Sequence, residues 1–461
     1  MRRTCLPAAI AVALLIPAGA QARGHHGERP LAQKTFFAPR TGETKLALTA
    51  AAPGTDWSKT GAESAVLTLT VDGRPSQQVV LFAGAERFTY RVALGRLRPG
   101  RHRLAVYFDR QKSPPGARGA KVLGLQTSSA SDLAARYAPV LYGRDLPEIP
   151  GRYENASTDV PLLEYHTEAR DDQGRTTLEY TMIWSNEDGG TNTPALMARW
   201  GRTTDIEWIY RIVLAPDGSV VSEEYQAPNH ETKQFTGAKE GDHPLLVNVT
   251  ANNNLEQVTD PRASTGYRFF NDSAATLPAN RAREAVMDAN PWTYPIMAKE
   301  VAREGEIEPV ASPDTPLVSD QRNYLFAEVD KDTSYPSPPA SGTWVGTALQ
   351  VKLRGSDRWY DSHHGVPDWS IQRDDPAATT VELPQGTTQD QVEAIKAIAV
   401  PVAATGDAPA PAPSDYTIHV RSLNRGFLLG PTYLPQPSFV SWTGDAVLTP
   451  AQPEAVIWSA G

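Results

Sequence analysis

The sequence predicts a mainly β protein: an N-terminal β-sandwich followed by a large β-rich, sandwich-like domain with a few short helices. Three observations carry this expectation. Apolar and polar residues alternate, as Leu67, Leu69 and Val71 do around Thr68 and Thr70, which is the period of a half-buried strand. Such runs stop at short turns, Asp72-Gly73 first among them, where positive φ is tolerated. Helical spacing is confined to brief stretches near 280–304 and 388–400.

The first residues have the layout of a secretory signal over 1–22: Arg2 and Arg3, an apolar run from Ala8 to Ile16, then the small residues of "AGAQA". Cys5, the one cysteine, would leave with it, so the mature chain is expected to be secreted or periplasmic and held together by burial alone. The chain has 44 basic and 53 acidic residues, a net charge of −9, and losing Arg2 and Arg3 leaves −11. That balance lacks the basic footprint of a nucleic-acid binder. No later apolar stretch reaches the length of a membrane helix, so no transmembrane segment is expected.

Residues 23–33 read as a flexible lead-in. From 34 to 128 the pattern is that of a β-sandwich accessory domain: "AVLTLTVDG", "RFTYRVAL" and "GRHRLAVYF" alternate between turns. It resembles the immunoglobulin-like or jelly-roll accessory domains of secreted proteins, some of which bind sugars. "SSASDLAARYAPVLYG" marks a joint, and a large β-rich domain is expected over 132–461. In it "TTLEYTMIW", "DIEWIYRIVL", "SVVSEEYQA", "NYLFAEVD" and "GTALQVKL" read as strands. A helix is expected between Asn280 and Glu304, interrupted at Pro291 and Pro295. "TQDQVEAIKAIAV" opens with helical spacing, 401–414 is a proline- and alanine-rich loop, and "YTIHVRSL" with "FLLGPTYL" reads as a hairpin.

The chemistry concentrates in "WSNEDGGTNT" and, ten residues on, "TTDIEW". Trp184, Asn186, Asp188 and Arg202 offer ring, amide and charged groups suited to a substrate. On a strand, Asp205 and Glu207 fall on one face with Ile209 and Arg211, while Ile206, Trp208 and Tyr210 fall on the other. Two carboxylates at i and i+2, roughly 6–7 Å apart, can flank one hard cation or act as an acid/base pair. The alternative, which spacing alone favours, is a solvent-facing strand on which Arg211 neutralises Glu207.

"ARYAPVLYG", "LEYTMIWSN" and "GRTTDIEWIYRI" together resemble the vacuolar protein sorting-associated protein sixty-two family. A related pattern in necrosis-inducing secreted proteins places a divalent metal on the equivalent acidic strand. The resemblance implies Asp205 and Glu207 as metal ligands, calcium or a similar cation being the cofactor. Ile206 stands in place of that motif's tryptophan, and its histidine has no counterpart.

His230 in "APNHETKQF" and His243 in "EGDHPLL" are candidates, with the two acids, for acid/base work. Trp359 and Tyr360, in "RWYDSHHGVPDW", suit a sugar platform because ring faces stack on the apolar faces of sugars. The expected function is a carbohydrate-associated protein whose partner is a polysaccharide or cell-surface glycan. It is either a polysaccharide-degrading hydrolase or lyase, or a non-catalytic, cation-dependent glycan- or surface-binding protein. The sequence leaves that choice open.

Overall fold

Asp72 and Gly73 both adopt positive φ, 53° and 78°, as the middle of a tight hairpin requires, and join strands Val66–Val71 and Arg74–Val80. The computed structural model describes residues 29–146, 155–187, 192–262, 266–309, 317–406 and 408–461. The expected signal segment, most of the lead-in and Asp188 lie outside these residues.

The first unit is a β-sandwich. Strands Ala32–Ala38, Gly100–Phe108, Val66–Val71 and Arg74–Val80 form one sheet, and Phe88–Leu97, Gly42–Ala51 and Lys121–Ala130 the other. Leu46, Leu48, Leu67, Leu69, Leu104 and Val106, the inward half of each alternation, are buried between them.

The second unit faces a six-stranded sheet with a smaller one. The larger runs Glu231–Gln234, Val220–Ala227, Ile206–Leu214, Thr176–Trp184, Pro161–Arg170, Ala275–Thr276. The smaller is built on Val140–Tyr142 and His243–Asn248, paired in parallel. Tyr137, Leu178, Tyr180, Ile212 and Leu246 pack in one continuous apolar cluster with the first sandwich's Leu48, Tyr90 and Leu94. Backbone stitches the two units as well: Ala93 N donates to Phe270 O at 2.8 Å, and Gln77 Oε1 accepts from Phe270 N at 3.0 Å.

On the other face of the six-stranded sheet lie helices Thr193–Trp200, Ala285–Ala289 and Thr293–Glu304. The helical region breaks at Pro291 as expected, but Pro295 does not interrupt it. It falls in the first turn of Thr293–Glu304, where a backbone donor has no partner to lose.

The stretch expected as one large domain contains a third unit. Asp375–Glu382, Tyr324–Ser334, Thr417–Phe427 and Trp442–Leu448 form a sheet against Trp359–Asp361, Trp344–Leu353, Val392–Val402 and Glu454–Ser459, over a core of their own. The helical spacing at 388–400 yields only the single turn Gln389–Gln391, closed by a capping box, before strand Val392–Val402. "FLLGPTYL" is not a return strand: Thr417–Phe427 pairs with Trp442–Leu448. Pro431, Pro435 and Pro437 lack the donors that a ladder needs.

Candidate functional site

The acidic strand departs from simple alternation at one point. Tyr210 lies opposite Tyr180, yet Trp208 lies opposite Thr181, so Ile209 is a bulge. Glu207, opposite Met182, therefore points to the same face as Tyr210, and Trp208 to the other. The expected separation of both acids from Trp208 holds, and their separation from Tyr210 does not. The proposed Glu207–Arg211 pair is absent too. Arg211 reaches Glu179 at 2.6 Å and Glu224 at 3.2 Å, with its guanidinium 4.7 Å from the Trp208 ring centre.

Asp205 is 1% exposed, because the face it occupies is covered by the smaller sheet. Asn253, held at φ 51°, donates from Nδ2 to Asp205 Oδ2 at 3.0 Å and to Asp159 Oδ2 at 2.6 Å. Arg144 Nη1 reaches Asp159 at 3.2 Å and Asn253 Oδ1 at 2.6 Å, while Ser185 Oγ and the Asn186 amide each donate to Asp159 at 3.1 Å. Burial pushes the Asp205 carboxyl well up, and the charges of Glu207, Glu187 and Asp159 push the same way against Arg202. Burial raises Asp159 as well, with Arg144 and Asn253 pulling it back.

These residues do not fit a divalent cation. Asp205 is buried toward its neutral form and Asp159 is engaged by a guanidinium and amides. Among the described residues no three His, Cys, Asp or Glu side chains gather closely enough to hold a metal.

The other expected site residues scatter. His230 lies nearby, half-exposed, with Nδ1 2.9 Å from Gln226 Nε2, which in turn donates to Glu207 at 2.9 Å. His243 is buried elsewhere, its ring bridging Ala138 O at 2.9 Å and Glu43 Oε2 at 3.1 Å where the first two units meet. Trp184 is fully buried in the core, so it presents nothing to a ligand from solvent. Asn186 Nδ2 donates to Glu304 at 2.9 Å. Arg202 is buried against Glu284 at 2.9 Å, where Arg202, Arg373 and Arg283 outweigh burial and hold the Glu284 carboxyl below its ordinary range. Trp359 and Tyr360 belong to the third unit: Lys396 covers the Trp359 ring at 4.5 Å, and Tyr360 faces that unit's core.

One cavity goes unannounced by any motif in the sequence. It measures about 310 Å³ and opens between the first sandwich and the six-stranded sheet. One wall is aromatic. Trp292 stacks on Phe82 at 5.5 Å and 11° and meets Phe88 edge-on at 5.0 Å, and Tyr90 packs edge-on against both phenylalanines. Glu164, Asn271, Asp272, Gln78 and Thr89 also line the cavity. Glu164 shares its row with Met182 and Glu207, so the cavity and the acidic strand use one face of one sheet. The signal that could have found it is Glu164 itself, a carboxylate at an inward position of "PLLEYH".

No protein-family model and no curated protein matches the sequence. Among solved structures the chain is similar to "EclA C-terminal domain; sugar-binding protein", at 17% identity over 22% of this chain and 66% of that one, with a TM-score of 0.17. It is also similar to a GH2 beta-galacturonidase from Eisenbergiella tayi bound to glycerol, at 14% identity over 44% of this chain and 27% of that one, with a TM-score of 0.13. The aligned part spans less than two thirds of either neighbour.

Proposed function

We propose that the chain is a secreted, carbohydrate-associated protein that binds the end of a polysaccharide or cell-surface glycan in the cavity between its first two units. The composition of the cavity wall carries this reading. A sugar ring is apolar on its faces and polar around its rim. Phe82, Phe88, Tyr90 and Trp292 suit the faces, and Glu164, Asn271 and Asp272 suit the rim. The volume, about 310 Å³, sits at the lower end of the usual range for small-ligand sites, roughly 300–1,000 Å³.

Retention of the purified protein on a panel of immobilised polysaccharides tests this, with the supernatant assayed for released sugar. Trp292→Ala and Phe88→Ala should each weaken retention at least about tenfold while the melting curve stays cooperative, since buried aromatic anchors carry most binding energy. Retention unaffected by both substitutions removes the cavity from the reading. Released reducing sugar would make the protein a degrading enzyme rather than a binder.

A further inference from the structure

Within that cavity one group is unlike the rest. Glu164 is 1% exposed, lines the cavity, and its Oε1 has no hydrogen-bond partner among the described residues. Buried polar atoms are nearly always paired, so an orphaned carboxyl oxygen at a cavity wall invites a ligand. We propose that, given a sugar in this cavity, Glu164 selects it: its carboxyl group hydrogen-bonds an uncharged hydroxyl and turns away sugars that bear a carboxylate.

The charges around Glu164 argue for that direction. Lys45 is 2.7 Å from Asp272 and is engaged in that ion pair. Arg91 also lines the cavity, and it is exposed. Glu207 stands on the same face beyond Met182. Burial first, then the Asp272 charge, push the Glu164 carboxyl well up against the pull of Lys45, so it presents a donor as well as an acceptor. A hydroxyl satisfies both. A ligand carboxylate would be desolvated beside Asp272, with only the exposed Arg91 among the described lining residues to offset it.

Calorimetric titration of the full protein with cellobiose, xylobiose and galactobiose, and with digalacturonic acid, tests the assignment. At least one neutral disaccharide should bind, and digalacturonate at least about tenfold more weakly. Glu164→Ala should lose about tenfold for the neutral sugar, whereas Glu164→Gln, which still donates and accepts, should stay within about threefold. Wild-type affinity should also fall as pH rises through the folded-state ionisation of Glu164, and the Gln variant should not follow. That comparison decides the matter even if the Ala variant fails to fold. Equal or tighter digalacturonate binding, unchanged affinity in Glu164→Ala, or identical pH profiles for wild type and Glu164→Gln would overturn the role of Glu164. If Trp292→Ala abolishes binding while Glu164→Ala leaves it intact, the sugar cavity stands and only the selection falls. If no disaccharide binds the wild type, both fall together.

Discussion

Asp205 was singled out in the sequence as half of an acidic pair, and its surroundings give it a different task. A carboxyl raised by burial contributes stability that is complete below its unfolded value, about pH 4, and is lost as pH rises through its folded value. Asp205→Asn cannot ionise, and its amide still accepts from Asn253. Its stability should therefore decline less with rising pH than the wild type's, by up to about 1.4 kcal/mol per pH unit inside that window. Denaturant melts at mildly acid and alkaline pH check this, and superimposable stability profiles would contradict it. Calcium and EDTA should leave the wild-type melt where it is, because Asn253 already engages Asp205 and burial disfavours its charged form. A calcium-dependent rise that Asp205→Asn removes would reinstate the metal. Arg144 and Asp159 are both fully buried. Arg144→Met should cost about 3–5 kcal/mol by stranding the carboxylate, and adding Asp159→Asn should recover part of that.

Elements were legible wherever a local rule decides them. Asp72-Gly73 dictates a tight hairpin, and Pro291 ends a helix whatever surrounds it. The bulge at Ile209 was not legible, because nothing in "DIEWIYRI" distinguishes an extra residue from a regular one. Only the pairing with Thr176–Trp184 reveals it. The strand Val392–Val402 was obscured for a related reason: its buried Val392 and Ile395 are three apart, which a helix or an irregular strand can each produce. The cavity's aromatic wall was beyond reach because Phe82, Phe88, Tyr90 and Trp292 are joined only by tertiary packing, and Glu164 alone marked the place. One element makes a sharp test. Helix Thr193–Trp200 ends at Gly201 with φ 64°, and a Cβ there would sit 3.0 Å from Thr379 N in the third unit. Gly201→Ala should destabilise by more than about 1 kcal/mol, read as a lower denaturation midpoint with an unchanged slope.

At the scale of the whole molecule, the first sandwich reads in sequence as a detachable accessory module, and its boundary strands run from Ala32 to Ala130. Its core, however, continues into the second unit, and Phe82 and Phe88 pack against Trp292. A fragment of residues 29–131 should keep a β-type spectrum but bind a hydrophobic dye and melt well below the intact chain. A fragment as stable as the whole protein, with no dye binding, would mean the shared core contributes little. The split of the C-terminal portion into two units was missed because no linker announces it, and a continuous ladder of buried residues crosses from Met197 and Ile206 to Phe326 and Phe427.

The cavity's position at that seam has a mechanical consequence. Its aromatic wall belongs largely to one unit and its acidic wall to the other, so anything gripped there ties the two together like a rivet. A ligand bound to both walls would make the two units harder to part, and the effect would grow with ligand concentration.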